Sequence, residues 1–196
     1  MKKSENFIEV EVKARIRDSL DIERRVRKIA KYSESYICRD TYFTYASTRG
    51  YQEERFRLRL MKGKAVVTAK ERKNLAGVEA NAEHEFQVDD IEAFREFLRL
   101  FGFRVLIEKT KRIKKFSNTP RGKKSLPGTV SIELNDVKGL GKFIEIEALV
   151  KKSSEMKKAR RLILKILDTL EIPRDQIELT PYTRMLYDRK FTKTSR

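Results

Sequence analysis

Three Glu-x-Glu pairs, Glu9/Glu11, Glu83/Glu85 and Glu145/Glu147, are the first residues whose type and spacing could do chemistry. On a β-strand alternate residues point to one face at intervals of about 6.5–7 Å, so two such carboxylates can address one cation from adjacent levels. Carboxylate oxygens suit hard ions such as Mg²⁺ or Mn²⁺. Glutamate fills 20 of the 196 positions, so pairs of this kind also arise by chance. The signal is their setting: Ile8-Glu9-Val10-Glu11-Val12-Lys13-Ala14 alternates charge with apolar residues, and the other two pairs lie in similar runs. Arg55-Phe56-Arg57-Leu58-Arg59-Leu60 repeats the alternation with arginines, whose planar forks match phosphate oxygens. Metal-binding carboxylates combined with an Arg/Lys clamp stabilise the charge that develops in phosphoryl or nucleotidyl transfer.

Two arrangements satisfy this pattern. In one, the strands form an open antiparallel sheet with the charged side in water and helices on the other side. In the second, the sheet closes with the charged side inward. Such a lumen cannot be a dry core, because uncompensated buried charge is too costly, and it must hold water, metal and a polyanion.

The elements that position these residues read as eight strands and three helices. Strands are expected at Ile8–Ala14, Asp40–Phe43, Arg55–Leu60, Val66–Lys70, Glu83–Val88, Val105–Phe116, Val130–Leu134 and Phe143–Leu149, with turns at Lys62-Gly63-Lys64 and around Gly139-Leu140-Gly141. Helices are expected over Asp18–Tyr32, from Asp89 to about Phe101 with Gly102 as its stop, and from about Ser153 to Leu170 before Pro173. Asp89-x-x-Glu92 echoes a capping box. Arg72–Ala82 reads as a polar connection within the sheet, and the breaker-rich, basic stretch Ser117–Gly128 as a hairpin tip. One domain over residues 1–189 with a frayed basic tail at 190–196 fits the length.

Composition narrows the function. With 46 Lys+Arg against 29 Asp+Glu, the formal net charge is +17, which favours a polyanionic partner. At 38% charged residues the profile also resembles that of thermophile proteins, in which part of the charge serves surface ion pairs. No apolar run nears the roughly 18 residues of a membrane helix, and Met1-Lys2-Lys3-Ser4-Glu5 leads into no signal-peptide core. Cys38 is the single cysteine and His84 the single histidine, which excludes an internal disulfide and a Cys/His zinc site and favours a cytoplasmic location. Alternation puts His84 opposite Glu83 and Glu85, on the helix-covered side, in a structural role. Cys38 reads as a small apolar residue, and Tyr42 as either lumen or core.

Glu9-Val10-Glu11-Val12-Lys13 resembles the Glu-x-Glu-x-Lys signature of the CYTH, or triphosphate tunnel metalloenzyme, family. The resemblance extends in order through Asp40-Thr41-Tyr42-Phe43, Arg57-Leu58-Arg59, Lys70, Glu83-His84-Glu85, Lys109–Arg112 and Gly139-Leu140-Gly141-Lys142-Phe143-Ile144-Glu145-Ile146-Glu147. The last segment looks most like the class IV adenylate cyclase branch. The resemblance implies an α+β fold: a closed eight-stranded antiparallel barrel, the triphosphate tunnel, with helices outside. It further implies Glu9, Glu11, Glu145 and Glu147 as metal carboxylates, with Glu83, Glu85 and Asn135 as further candidates. Lys13, Arg57, Arg59, Lys70, Lys109, Lys111 and Arg112 are implied as the triphosphate clamp, with strand register leaving open whether Lys111 or Arg112 points inward. Lys13 and Glu11 are the implied catalytic residues.

In two places the chain departs from the family pattern: Leu134-Asn135 stands where a Leu-Asp is usual, which leaves the metal site a carboxylate short unless Asp136 replaces it through a bulge, and the basic Ser117–Gly128 loop is longer than usual. The implied function is a Mg²⁺- or Mn²⁺-dependent enzyme acting on ATP, giving cyclic AMP and pyrophosphate, or on an inorganic, nucleoside or thiamine triphosphate, giving a hydrolysed product. The implied partner is a triphosphate-containing small molecule, with no membrane and no nucleic acid, and the assembly a monomer or homodimer. A non-catalytic polyphosphate- or RNA-binding protein is the alternative, with Asn135 and the basic loop as its motive.

Overall fold

A computed structural model describes residues 7–52, 54–75, 78–117 and 130–191, with the backbone alone for 71–75 and 78–83. Eight antiparallel strands form one sheet: β1 (Ile8–Arg15), β2 (Lys31–Tyr45), β3 (Phe56–Met61), β4 (Lys64–Leu75), β5 (Val78–Val88), β6 (Phe103–Ser117), β7 (Val130–Val137) and β8 (Gly141–Val150). Their order is β1-β5-β4-β3-β2-β6-β7-β8, and β1 pairs with β5 along one edge and with β8 along the other. Helices α1 (Ser19–Ile29), α2 (Ile91–Leu100), α3 (Met156–Thr169) and α4 (Tyr182–Phe191) flank the sheet. The α+β fold of eight antiparallel strands with flanking helices agrees with the sequence expectation.

Local chemistry explains the boundaries. The Asp18 carboxylate accepts from the Leu20 and Asp21 amides at 2.9 and 3.0 Å and so starts α1. Asp90, rather than Asp89, caps α2 by accepting from the Ala93 amide. Lys62 and Gly63, both at positive φ, form the two-residue turn between β3 and β4. Three expectations are corrected. The segment 72–82 is not a loop, because β4 continues to Leu75 and β5 begins at Val78, in register from Ala65↔Val88 to Leu75↔Val78. The C-terminal segment adds a fourth helix, α4, which runs to Phe191, past the expected start of the tail. His84 lies exposed on the outer face, not under a helix. The basic loop expected at 117–128 lies, from residue 118 on, outside the described residues, as does the tail from 192.

The apolar side of each alternating strand faces outward onto the helices. Val10, Val12 and Ala14 of β1, with Ile132, Leu134, Ile144 and Ile146 of β7 and β8, pack against Val26 of α1 and Met156, Ile163 and Leu167 of α3. A second cluster joins Phe43, Leu58 and Val67 to Leu98 of α2. Ile132, Ile144 and Ile146 are fully enclosed, and truncating any one to alanine costs about 2–5 kcal/mol. With the apolar residues spent on the outer face, the charged set is left for the inner one.

Candidate functional site: a cavity with a basic and an acidic wall

A cavity of about 560 Å³ opens on the inner face, within the range of small-molecule sites. Its lining includes Glu9, Glu11, Lys13, Arg57, Arg59, Lys70, Lys109, Lys111, Glu145 and Glu147, all expected from the sequence.

One wall is basic and is built on β2, β3, β4 and β6. Asp40 of β2 stands in register with Arg59 on β3 and with Lys109 on β6. Its carboxylate, with no exposed area, accepts from Arg59 Nε and Nη2 at 2.7 and 3.0 Å and pairs with Lys109 Nζ at 3.0 Å. Burial opposes its ionisation, but Lys109 and Arg59 outweigh that and hold Asp40 well below the usual carboxylate range. Burial, with Lys111 and Arg59 nearby, pushes Lys109 down to about 8 against the pull of Asp40. Tyr42, buried and lining the cavity, accepts from Lys109 Nζ at 2.6 Å. Next along β3, Arg57 donates to the Thr68 hydroxyl at 3.0 Å, and Thr68 donates to Glu85 at 2.7 Å.

The opposite wall is acidic and is built on β1, β7 and β8. Glu11 and Glu147 stand directly across from one another, as do Lys13 and Glu145, and Glu133 and Glu145. Burial and the charges of Glu11 and Glu133 push Glu147 up to about 7, more than Lys115 and Lys70 pull it down. Glu145 is held low: burial opposes its charge, but Lys111 and Lys109 prevail. Lys111 reaches across to Glu145 at 2.9 Å and Glu133 at 3.5 Å. Lys70 lies 3.6 Å from Glu9. Residues 177–183 rim the cavity: Lys13 Nζ donates to the Thr180 carbonyl at 2.6 Å, and the Tyr182 ring lies 4.5 Å from Lys13 Nζ and 5.1 Å from Lys109 Nζ.

Several expected residues fall elsewhere. Arg112 is exposed on the outer face, paired with Ile37 and Asp136; with Lys109 and Lys111 inward, the period of two turns Arg112, the next residue, outward. Asn135 is buried beside Phe143 and Ile113, away from the cavity lining, and neither amide atom makes a hydrogen bond. The β7 pairings run without a bulge, so Asp136 stays outside. Glu85 is exposed and bonded to Thr68, not to the acidic wall, and the Glu83 side chain lies outside the described residues. Sequence reasoning missed Glu133, which lines the cavity two residues before Asn135; its same-face parity with that position was the available signal. It also missed the roles of Thr68 and of residues 177–183, for which alternation gave no signal.

The oxygen-only donors of the acidic wall suit a hard divalent ion, whose charge would offset the burial and the Glu11 and Glu133 charges that raise Glu147. As the side chains stand, no three acidic groups among the described residues are close enough to hold one. Glu145 is engaged by Lys111, and Glu9 lies near Lys70.

The family model for the CYTH domain matches residues 8–182. A protein of Methanocaldococcus jannaschii bearing the name "Putative adenylate cyclase MJ0240" is 27% identical over 184 residues, covering 91% of this chain and 98% of its own. Among solved structures, the Pyrococcus horikoshii protein PH1819 superposes with a TM-score of 0.76 at 26% identity, covering 92% of this chain and 99% of that one. A Hippeastrum protein, "Putative adenylyl cyclase HpAC1", described as having a dominant triphosphatase activity, shares the fold at 15% identity and a TM-score of 0.59, over 93% of this chain and 95% of its own. With the model match spanning nearly all of the chain and the two-walled cavity inside it, the chain belongs to the CYTH domain family.

Proposed function

We propose that this chain is a divalent-metal-dependent enzyme that holds a triphosphate in the cavity, with the ring of strand pairings acting as a tunnel, and catalyses attack at one of its phosphorus atoms. The observation that carries the reading is the apposition of seven cationic side chains with seven carboxylates around one cavity. Carboxylates repel a polyphosphate unless a cation intervenes, so a purely anion-binding pocket gains nothing from the acidic wall.

In this reading Arg57, Arg59, Lys109 and Lys111 grip the phosphate chain, and Lys13 and Lys70 meet it from the acidic side. Glu9, Glu11, Glu145 and Glu147, with Glu133 beside them, are the residues to hold Mg²⁺ or Mn²⁺. That ion supplies neutralisation of charge on the phosphate oxygens. The enclosing strands and residues 177–183 restrict water around the reacting phosphorus, which strengthens each ionic contact. Attack by a ribose 3′-hydroxyl on the α-phosphate gives cyclic AMP and pyrophosphate, in line with the cyclase named for the Methanocaldococcus relative. Attack by water on the terminal phosphate gives orthophosphate.

The test is incubation of the protein with ATP, and separately with tripolyphosphate, plus Mg²⁺ or Mn²⁺ at several temperatures, with products identified by ³¹P NMR. Cyclic AMP with pyrophosphate assigns a cyclase and orthophosphate a triphosphatase. Absence of any product from both substrates with both metals overturns the enzyme reading and leaves a binding protein.

A further inference from the structure

Asp40 does not line the cavity, yet it touches the residues that do. The register explains why. Asp40 lies on β2, the strand between β3 and β6, directly across from Arg59 on one side and from Lys109 on the other. Every acceptor direction of its carboxylate is engaged. Oδ1 takes Arg59 Nε at 2.7 Å and the Cys38 thiol at 3.2 Å. Oδ2 takes Arg59 Nη2 at 3.0 Å, Lys109 Nζ at 3.0 Å and the Tyr42 hydroxyl at 3.3 Å. Tyr42 in turn accepts from Lys109 at 2.6 Å, so the cluster is cross-braced.

We propose that Asp40 is a positioning residue that locks Arg59 and Lys109 into one rigid cationic unit facing the phosphate chain, a role that rests on the triphosphate-binding reading. Bidentate capture by Asp40 fixes the plane of the Arg59 guanidinium, and the rest of the group, with the side chain 22% exposed, is presented to the cavity. Lys109, 5% exposed, has its ammonium tethered at two points. Ordering long side chains before a ligand arrives removes an entropic cost from binding, and that gain offsets the repulsion of one buried negative charge.

The proposal can be tested cleanly because charge and position act with opposite sign. Removing a carboxylate near an anion site strengthens anion binding if only the field matters. Releasing Arg59 and Lys109 weakens it. Tripolyphosphate binding is measured by titration calorimetry in EDTA at pH 6.0, chosen to keep Lys109 protonated, with folding checked by circular dichroism and Arg112→Ala as the surface control. Asp40→Asn is expected to bind at least tenfold more weakly than wild type. A folded Asp40→Asn that binds as tightly as wild type, or more tightly, overturns the proposal. Should that variant not fold, Tyr42→Phe serves, since it removes one brace with no change of charge. A loss of about threefold or more is expected there, and unchanged affinity overturns the proposal. Failure of wild type to bind tripolyphosphate even with Mg²⁺ present is a separate outcome, which removes the triphosphate reading itself and this role with it.

Discussion

On the basic wall Arg59 and Lys109 meet Asp40 in register and Arg57 meets Thr68, whereas on the acidic wall Glu11 and Glu147 face one another across the β1–β8 ladder. Opposed like charges destabilise a strand pair, and opposed unlike ones support it. The basic wall is thus internally paired, while the acidic wall sets like charges against one another. The two walls meet through Lys111, which leaves β6 to pair with Glu133 and Glu145. Under the proposed function the difference separates anion grip from metal-linked chemistry, and variants on each wall should separate the same way.

The largest effect is expected from Glu11→Gln. Metal-dependent turnover of ATP or tripolyphosphate should fall by more than about 100-fold, in the range found when one group stabilising a transition state is lost. Tripolyphosphate binding in EDTA should hold or tighten, because a repelling charge has gone. Parallel loss of both quantities would erase the distinction between the walls. Arg59→Ala comes next and is expected to do the reverse, weakening metal-free tripolyphosphate binding by about 10–100-fold through loss of charge-assisted hydrogen bonds. It also strips Asp40 of its bidentate partner, so thermal stability should fall, as when any buried ion pair loses one member. Calorimetry and a thermal melt read the two effects separately.

How much of this contrast was legible in the sequence follows from its physical origin. Strict alternation made the inner face readable: Glu9, Glu11 and Lys13, and Arg57 and Arg59, need only a period of two. The outward apolar set, and with it the strand–helix packing, follows from the same period. Alternation is silent on pairing between distant strands. That Asp40 meets Lys109, or that Thr68 lies between Arg57 and Glu85, depends on a register set by the whole sheet. Breaker residues were a poorer guide at 72–82, where polar composition suggested a loop and the pairing carried β4 and β5 through most of it. Helix α4 and residues 177–183 owe their place to docking on the sheet's end: Ala14 bridges Ile177, and the Glu178 amide donates to the Lys13 carbonyl.

A smaller effect should report the strain on the acidic wall. The Glu147 carboxyl, ordinarily near 4.5, is raised to about 7 in the folded protein by burial and by Glu11. A raised carboxyl favours folding in its protonated form, so its contribution is intact below about pH 4.5 and is lost as pH climbs through 7. In EDTA, wild type should therefore lose stability relative to Glu147→Gln across that window. The gap should reach several degrees in Tm by pH 8, since about 1 kcal/mol moves a chain of this size by about 2–4 °C. Adding Mg²⁺ should close the gap by stabilising wild type alone. A gap independent of pH and metal would mean that Glu147 feels no such repulsion.

The smallest expected effect comes from two adjacent residues that composition cannot tell apart. Lys111 is buried and joined to both acidic strands, while Arg112 projects from the outer face between Ile37 and Asp136. The outer face there is in water, where a single cation is screened and its ion pairs contribute little. Arg112→Ala should leave turnover and tripolyphosphate affinity within about twofold of wild type and shift stability by no more than about 0.5 kcal/mol. Lys111→Ala, by contrast, leaves Glu133 and Glu145 without their shared ammonium and removes a charge from the proposed phosphate site, so both affinity and Tm should drop. An Arg112→Ala protein that lost affinity as Lys111→Ala does would require β6 to slip by one residue. Such a slip would also turn Lys109 away from Asp40, so it would undo the basic wall as a whole.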